Sequence, residues 1–410
     1  MRAEKRTLFF FKSFVVFILL FLLNGSAKAD NVTELQSRLD AIVSAANCKV
    51  SVQVVSASKY DLLYSYNPDS KQIPASITKV VTAALALVEL GVDYKFKTIV
   101  YTDDSNIQDG VINGNLYLKG YGDPDLNSSD IIYLAKKINE KGIKEITGNI
   151  VYDESYFDND YMGFSYSGDT DKRWWPYVSA LNLDKNYGGY DPAFTAGDLL
   201  AADLTALGIT FKGNVTAGTT PIQSVKPITE VSHHIEDVLA YMNKTSNNHS
   251  AISVFKVIGA KKYGPPGTLD KGSRAAIELL TGIGCNREEF DILEGSGLTR
   301  YNFMTATMMV RLLKFMYDDE DMFEIFYNSL AIAGVDGTIK NRMIGTEAEK
   351  NVHAKTGTIN SVSTLTGYAV SRDMELLIFY ISMNGFGGNS TYYRGLQDDI
   401  CSVLCQFSRN

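Results

Sequence analysis

Cysteine and histidine are scarce in this chain, and neither is arranged to hold a metal. Its 410 residues include four of each. Cys401 and Cys405 stand one helical turn apart, a spacing poor for a mutual disulfide and, without further ligands, for tetrahedral zinc. Cys48 and Cys285 lie far from them, and His233, His234, His249 and His353 show no metal-ligand spacing. We therefore expect no metal and no cofactor. Net positive charge is also lacking. A formal charge of −8 argues against nucleic acid as a partner held through its phosphates. No second long apolar run follows residue 29, so nothing beyond the leader is expected to span a membrane. No cysteine follows the leader's cleavage site, which argues against a bacterial lipoprotein.

What is present starts with that leader. "MRAEKR" is a basic opening, "TLFFFKSFVVFILLFLLNG" carries an apolar run broken by Lys12, and "SAKA" offers a small-residue cleavage site. Residues 1–29 read as a secretory signal peptide cleaved near Ala29, with an uncleaved anchor as the alternative. The expected location is exported, in the periplasm or cell envelope. Apolar residues make up 45% and charged residues 21%, as in ordinary soluble globular proteins, and the length suits two or three domains. Nothing in the sequence sets an oligomeric state.

Periodicity gives a coarse outline. Residues 49–69 alternate around the polar turn "SASKYD" and predict a hairpin. "PASITKVVTAALALVELG" follows, a helix opened near Pro74 and Ser76 and stopped by Gly91. Residues 95 to 222 mix short strands with two helices, each leading into a strand, and read as an insertion. Helices are expected over 235–259, 272–284, 305–319 and near 391–407, and three strands over 350–386. Strands at both ends of the chain imply one antiparallel sheet built from both termini and covered by helices.

Three short motifs carry chemistry. Ser76 and Lys79 are three apart on one helix face, and the helix is apolar around most of its circumference. A buried lysine loses its proton readily, and a serine beside it is a candidate nucleophile. Alone the pattern is weak: Ser56 with Lys59 and Ser253 with Lys256 repeat it. "TSNNHS" places polar Ser246 and Asn248 in an apolar helical stretch, where they need partners. "AKTGT" ends a strand run with Lys355, Thr356, Gly357 and Thr358, and glycine there permits close approach of backbone or ligand.

In this order the three motifs are the signature of penicillin-recognising serine enzymes. Lys79 would serve as base, Asn248 would donate to the substrate amide, and Ser246 would pass a proton to the leaving amine. Lys355 would lower the proton affinity of Lys79 and hold a carboxylate, and the backbone N–H groups of Ser76 and Thr358 would cup the oxyanion. The chain as a whole resembles the D-alanyl-D-alanine carboxypeptidase/endopeptidase family of penicillin-binding proteins, of low-molecular-mass class C. "GNLYLKGYGDPDL", "VYDESYFD", "EGSGLTRYN", "AGVDGTIKNR" and "HAKTGTINSVSTLTGYA" read like the blocks of that family in its order, across residues 50 to 370. The resemblance implies an α/β penicillin-binding, serine β-lactamase-like fold with an inserted mixed α/β domain. The expected layout is signal peptide 1–29, catalytic domain 30–94 and 223–410, and insertion 95–222. It implies cleavage of D-alanyl bonds in peptidoglycan peptides through an acyl-enzyme on Ser76, and acylation by β-lactam antibiotics. A β-lactamase or esterase on the same fold, and a non-catalytic wall-binding protein, are the alternatives. This chain departs from the family's usual Ser-Asp-Asn at Asn247, from its usual later acidic residue at Ile252, and from its usual Asp at Glu294.

Two further expectations follow. Asp169 and Asp171, beside Trp174 and Trp175, are candidates for binding an ammonium group on the peptide's diamino acid, against the plainer reading of a surface loop. In the proposed fold both termini meet on one sheet, so Cys48 is expected to bond to Cys401 or Cys405, with four free thiols as the alternative.

Overall fold

A computed structural model describes residues 31–163, 175–187 and 191–409. Asp169, Asp171 and Trp174, like the leader, lie outside them. Among the described residues the main sheet has six antiparallel strands. These are β1 (Lys49–Ser56), β2 (Leu62–Tyr66), β13 (Ala331–Ile332), β14 (Val352–Ile359), β15 (Val362–Val370) and β16 (Leu376–Asn384), in the order β13-β14-β15-β16-β1-β2. The two ends of the chain join where β1 pairs with β16, from Lys49 opposite Asn384 to Ser56 opposite Leu377. Side chains alternate faces along a strand. Ile378 and Tyr380 of β16 therefore enter one core, and Leu377, Phe379, Ile381 and Met383 enter the other.

The second of these cores is closed by a helix at 31–45, α1, and by α10 (Thr391–Gln406). The first holds α2 (Thr78–Leu90), surrounded by α5 (Ile235–Lys244), α6 (Asn248–Tyr263), α7 (Leu269–Gly282), α8 (Ala306–Tyr317) and α9 (Glu320–Ser329). Ten consecutive residues of α2, Thr78 to Leu87, are buried, because neighbours pack around its whole circumference. Each fully buried Val or Leu there stabilises by about 1.5–3 kcal/mol relative to exposure, which fixes the direction in which its first turn points. Gly91 closes the helix at φ 89°, where a side chain would be strained.

The insertion has its own sheet, ordered β10-β3-β5-β7-β9. Strands β5 (Leu116–Gly120), β7 (Ile150–Asp153) and β9 (Val215–Ala217) run parallel. The crossovers between them are α3 (Ser128–Glu140) and α4 (Pro192–Ala206), as parallel pairing requires. Asn127 caps α3, its side chain accepting from Ser129 N. Strand β10 (Lys226–His234) pairs along β3 (Lys95–Thr102). The insertion's sheet thus runs on to His234, past the boundary expected at 222, because Val231 and Ile228 pack on the insertion's core.

All four cysteines are free thiols, and the expected bridge from Cys48 to Cys401 or Cys405 is not formed. Cys48 does meet α10, but at its first turn. The Tyr392 hydroxyl donates to Ala45 O at 2.9 Å, and the Cys48 thiol lies near Tyr393. Cys401 sits about 12 Å further along the helix axis, at 1.5 Å per residue, beyond the roughly 7 Å that a disulfide spans between Cα atoms. Cys401 and Cys405 are buried hydrophobes of the core instead.

Candidate active site

The site forms where the first turn of α2 meets the edge of β14. A 3-10 turn, Ala75–Ile77, precedes α2 and presents Ser76. Ala75 is held at φ 50°, a left-handed conformation that a non-glycine residue adopts only when its surroundings enforce it. Part of the enforcement comes from β15, whose Thr364 hydroxyl donates to Pro74 O at 2.7 Å. Gly357 of β14 faces Thr364, and a Cβ there would lie 2.6 Å from Pro74 O and 3.1 Å from Ser76 N. The glycine of Lys-Thr-Gly therefore lets strand and nucleophile segment touch.

The connection between α5 and α6 supplies the other wall. Sequence periodicity reads 235–259 as one helix, but the chain breaks at 245–247, with Ser246 at φ 58°. Asn247 caps α6 by accepting from Ser250 N at 2.8 Å, and its amide donates to the Tyr187 hydroxyl at 3.2 Å. An Asp side chain could accept from the same N–H, since Asp and Asn are both good helix caps. Asn248, the first residue of α6, faces α2. His249 behind it is buried against Asn182 of the insertion, 2.9 Å from its Oδ1, and burial pushes its pKa down to about 3.

Lys79 is fully buried, and its Nζ has three partners. They are Ser76 Oγ at 3.0 Å, Asn248 Oδ1 at 2.8 Å and the Ser296 carbonyl at 2.6 Å. Two of these only accept. A neutral amine has two N–H groups and one lone pair, so the set fits an amine that donates to Asn248 and Ser296 and accepts from the Ser76 hydroxyl. Burial pushes the pKa of Lys79 down to about 7, partly opposed by the charge of Glu294. Lys355 is equally buried. Its Nζ donates to Ser246 Oγ and to Thr356 O, both at 2.8 Å. Burial, and then the charge of Lys79, hold it well below the usual lysine range.

Ser76, Lys79, Ser246, Asn248 and Lys355 thus converge on one cleft. Of the neighbouring β14 residues, Thr356 is hydrogen-bonded to Thr338 at 2.8 Å, and Thr358 is reached by the Arg394 guanidinium at 3.4 Å. Motif reading did not assign parts to Ser296, Glu294, Tyr187 or Arg394. Only "EGSGLTR" carried a signal, and it gave no contact. The competing Ser-x-x-Lys pairs separate by geometry: Lys256 is ion-paired with Asp158 at 2.6 Å, and Lys59 with Glu375 at 3.5 Å. Among the described residues no cluster of His, Cys, Asp or Glu could hold a metal.

A buried lysine on a serine, at the edge of a sheet covered on both faces, belongs to the penicillin-binding type of fold. The chain is a member of the D-Ala-D-Ala carboxypeptidase 3 (S13) family, which it matches over residues 34–190 and 188–400, and is therefore a serine-type D,D-peptidase. It is 29% identical to the D-alanyl-D-alanine carboxypeptidase of Actinomadura sp., over 94% of this chain and 87% of that protein. Identity to the D-alanyl-D-alanine carboxypeptidase DacB of Haemophilus influenzae is 25%, over 85% of this chain and 87% of that one. The crystal structure of penicillin binding protein 4 from Haemophilus influenzae is similar in fold, with a TM-score of 0.79 at 23% identity, covering 92% of this chain and 100% of that chain.

Proposed function

We propose that the protein is exported and removes the terminal D-alanine from peptidoglycan peptides through an acyl-enzyme on Ser76. The observation that carries this reading is the fully buried amine of Lys79, 3.0 Å from Ser76 Oγ, whose burial loosens its proton. Lys79 Nζ takes the Ser76 proton as Oγ attacks the carbonyl carbon of the penultimate residue. The N–H groups of Ser76 and Thr358 receive the developing oxyanion. Asn248, its amide oxygen engaged by Lys79, keeps its N–H groups for the substrate backbone. The C–N bond breaks as the leaving amine takes, by way of the Ser246 hydroxyl, the proton that Lys79 accepted from Ser76; D-alanine departs and Lys79 is neutral again. Water, with its proton drawn to Lys79, then splits the ester and restores Ser76.

Lys355 meets the substrate's terminal carboxylate, together with the hydroxyls of Thr356 and Thr358. Two buried amines repel each other's protons, and an arriving carboxylate favours the charged form of the one it touches. Substrate binding thereby fixes the proton on Lys355 and leaves Lys79 free to act as base. A β-lactam carries the same carboxylate and a strained amide, so it acylates Ser76 in the same way. Mass spectrometry of the protein treated with penicillin is expected to place the adduct on the peptide containing Ser76. An adduct on a peptide containing Ser56 or Ser253 overturns the assignment.

A further inference from the structure

We infer that Glu294 is a positioning residue for Lys79: it gathers the backbone of residues 296–299 so that the Ser296 carbonyl takes one N–H of the amine and turns its lone pair toward Ser76. The inference rests on the reading of Lys79 as the base.

Glu294 is fully buried, in the loop before α8. Its carboxylate accepts from Ser296 N, Ser296 Oγ and Gly297 N, each at 2.6 Å, and from Thr299 N at 3.4 Å. The Asn302 amide stands 3.3 Å from Oε1 and donates to Glu294 O at 2.9 Å. A carboxylate with so many donors folds the backbone around itself, and charge-assisted bonds of this kind are about twice as strong as neutral ones. The folded loop is pressed onto the first turns of α2. Gly297, at φ 80°, lies so close that a Cβ would sit 1.9 Å from Ala75 O. The Thr82 hydroxyl donates to Gly295 O at 2.7 Å. The outcome is the 2.6 Å contact from Lys79 to Ser296 O, the shortest of its three.

That contact decides which way the lone pair points. Without Ser296 O, a neutral amine satisfies Asn248 with one N–H and is free to donate to Ser76 with the other, the wrong direction for a base. Glu294 also stands as the counter-charge of this corner. The ionisable groups facing Lys79 are Glu294 from the loop and Lys355 from β14, and the α6 face contributes the neutral Asn248. Glu294 favours the protonated Lys79 amine, and the charge of Lys79 in turn disfavours a proton on Lys355.

The test is the rate of acylation by a fluorescent penicillin from pH 5 to 9, in wild type and in Glu294→Gln. The glutamine keeps the volume and removes the charge. The acylated fraction at saturation counts the folded protein, and the rate constant is read on that fraction. In Glu294→Gln the acid limb is expected to move to lower pH by about half a unit or more, because the amine loses its counter-charge. The plateau is expected to fall by about tenfold or more, because the carbonyl loses its aim. An unmoved limb, with only the plateau reduced, assigns Glu294 to structure alone and overturns the inference. Should Glu294→Gln yield no acylable protein, Glu294→Asp decides. Its carboxylate is withdrawn by one methylene, so a plateau at least about threefold below wild type at full stoichiometry supports the inference, and wild-type rate constants overturn it. Wild-type protein that is not acylated at Ser76 sinks the reading of the base instead, so the two failures are distinct.

Discussion

Replacing Gly357 with alanine adds one methyl group at the tightest contact between β14 and the segment that carries Ser76. Its Cβ would sit 2.1 Å from Thr364 Oγ1, 2.6 Å from Pro74 O and 3.1 Å from Ser76 N. A hydroxyl can rotate away, but Pro74 O belongs to backbone one residue before Ala75, which is already at φ 50°. Real Cβ contacts essentially never fall under 3.0 Å, so this carbonyl must retreat by about 0.4 Å or more, and Ser76 N must follow. Overpacking of this kind costs about 1–3 kcal/mol. The kinetic penalty is larger, because Ser76 N is a proposed oxyanion donor. Misplacing a reacting group by about 1 Å lowers rates by roughly a hundredfold, and loss of one oxyanion donor by about a hundred- to a thousandfold. Acylation of Gly357→Ala by a fluorescent penicillin is therefore expected to fall about a hundredfold, with the folded fraction checked by thermal melting. A second change separates the two clashes. Thr364→Ala in the same protein removes the hydroxyl but not the Pro74 contact, and also deletes the bond to Pro74 O. The rate is expected to stay low in the double variant. A wild-type rate in Gly357→Ala, or full recovery in the double variant, refutes the claim that backbone contact with Pro74–Ser76 is what the glycine serves.

Three other outcomes follow from the same geometry. Lys355→Met keeps the side-chain length and removes the charge; a charge-assisted bond is worth about 1.5–3 kcal/mol, so acylation is expected to weaken about ten- to a hundredfold, and an unchanged rate removes Lys355 from the carboxylate site. Because only neutral Lys79 is a base and its pKa lies at about 7, wild-type acylation is expected to fall tenfold per unit below roughly pH 7; a rate flat down to pH 5 contradicts the base assignment. Asn247→Ala removes the cap of α6 and is expected to cost about 1 kcal/mol in chemical denaturation, whereas Asn247→Asp keeps an acceptor for Ser250 N and is expected to retain stability.

Legibility in the sequence tracked the range of the interaction. Ser76 and Lys79 are one turn apart, so local helix geometry alone brings them together. The hairpin at 49–66 and the strands at 352–384 showed because period-two alternation is a local signal. Helix α1 also carries a local signal, Leu35, Leu39 and Val43 on one face, yet it escaped notice beside the leader. Helix α9 was missed as well: only Phe326 and Ser329 are buried in it, and Met322, Phe323, Ile325 and Tyr327 pack on the core while partly exposed. The Ser296 contact to Lys79 spans 217 residues, and no periodicity encodes which carbonyl a loop will present. Cys48 failed for a related reason. That both ends share a sheet was readable, but the position along α10 opposite Cys48 depends on side-chain packing between β16 and α10.

The two buried lysines explain why the site needs a fold of this size. Lys79 titrates at about 7 in place of 10.5, and Lys355 is displaced in the same direction. Between those values the unfolded chain binds more protons than the folded one, so stability rises with pH across that window. The cost of burying the charge is fully present below about pH 7 and is relieved as pH climbs toward 10.5. For Lys79 alone it amounts to a few kcal/mol, a large share of a typical domain's margin of 5–15 kcal/mol. Apolar packing around α2 on every side, and around β15 and β16 on both faces, offsets that cost. A serine hydroxyl at the surface needs no such investment, but it also has no neutral amine beside it. Reactivity at Ser76 therefore depends on core packing far from the substrate, through the burial that keeps Lys79 short of a proton.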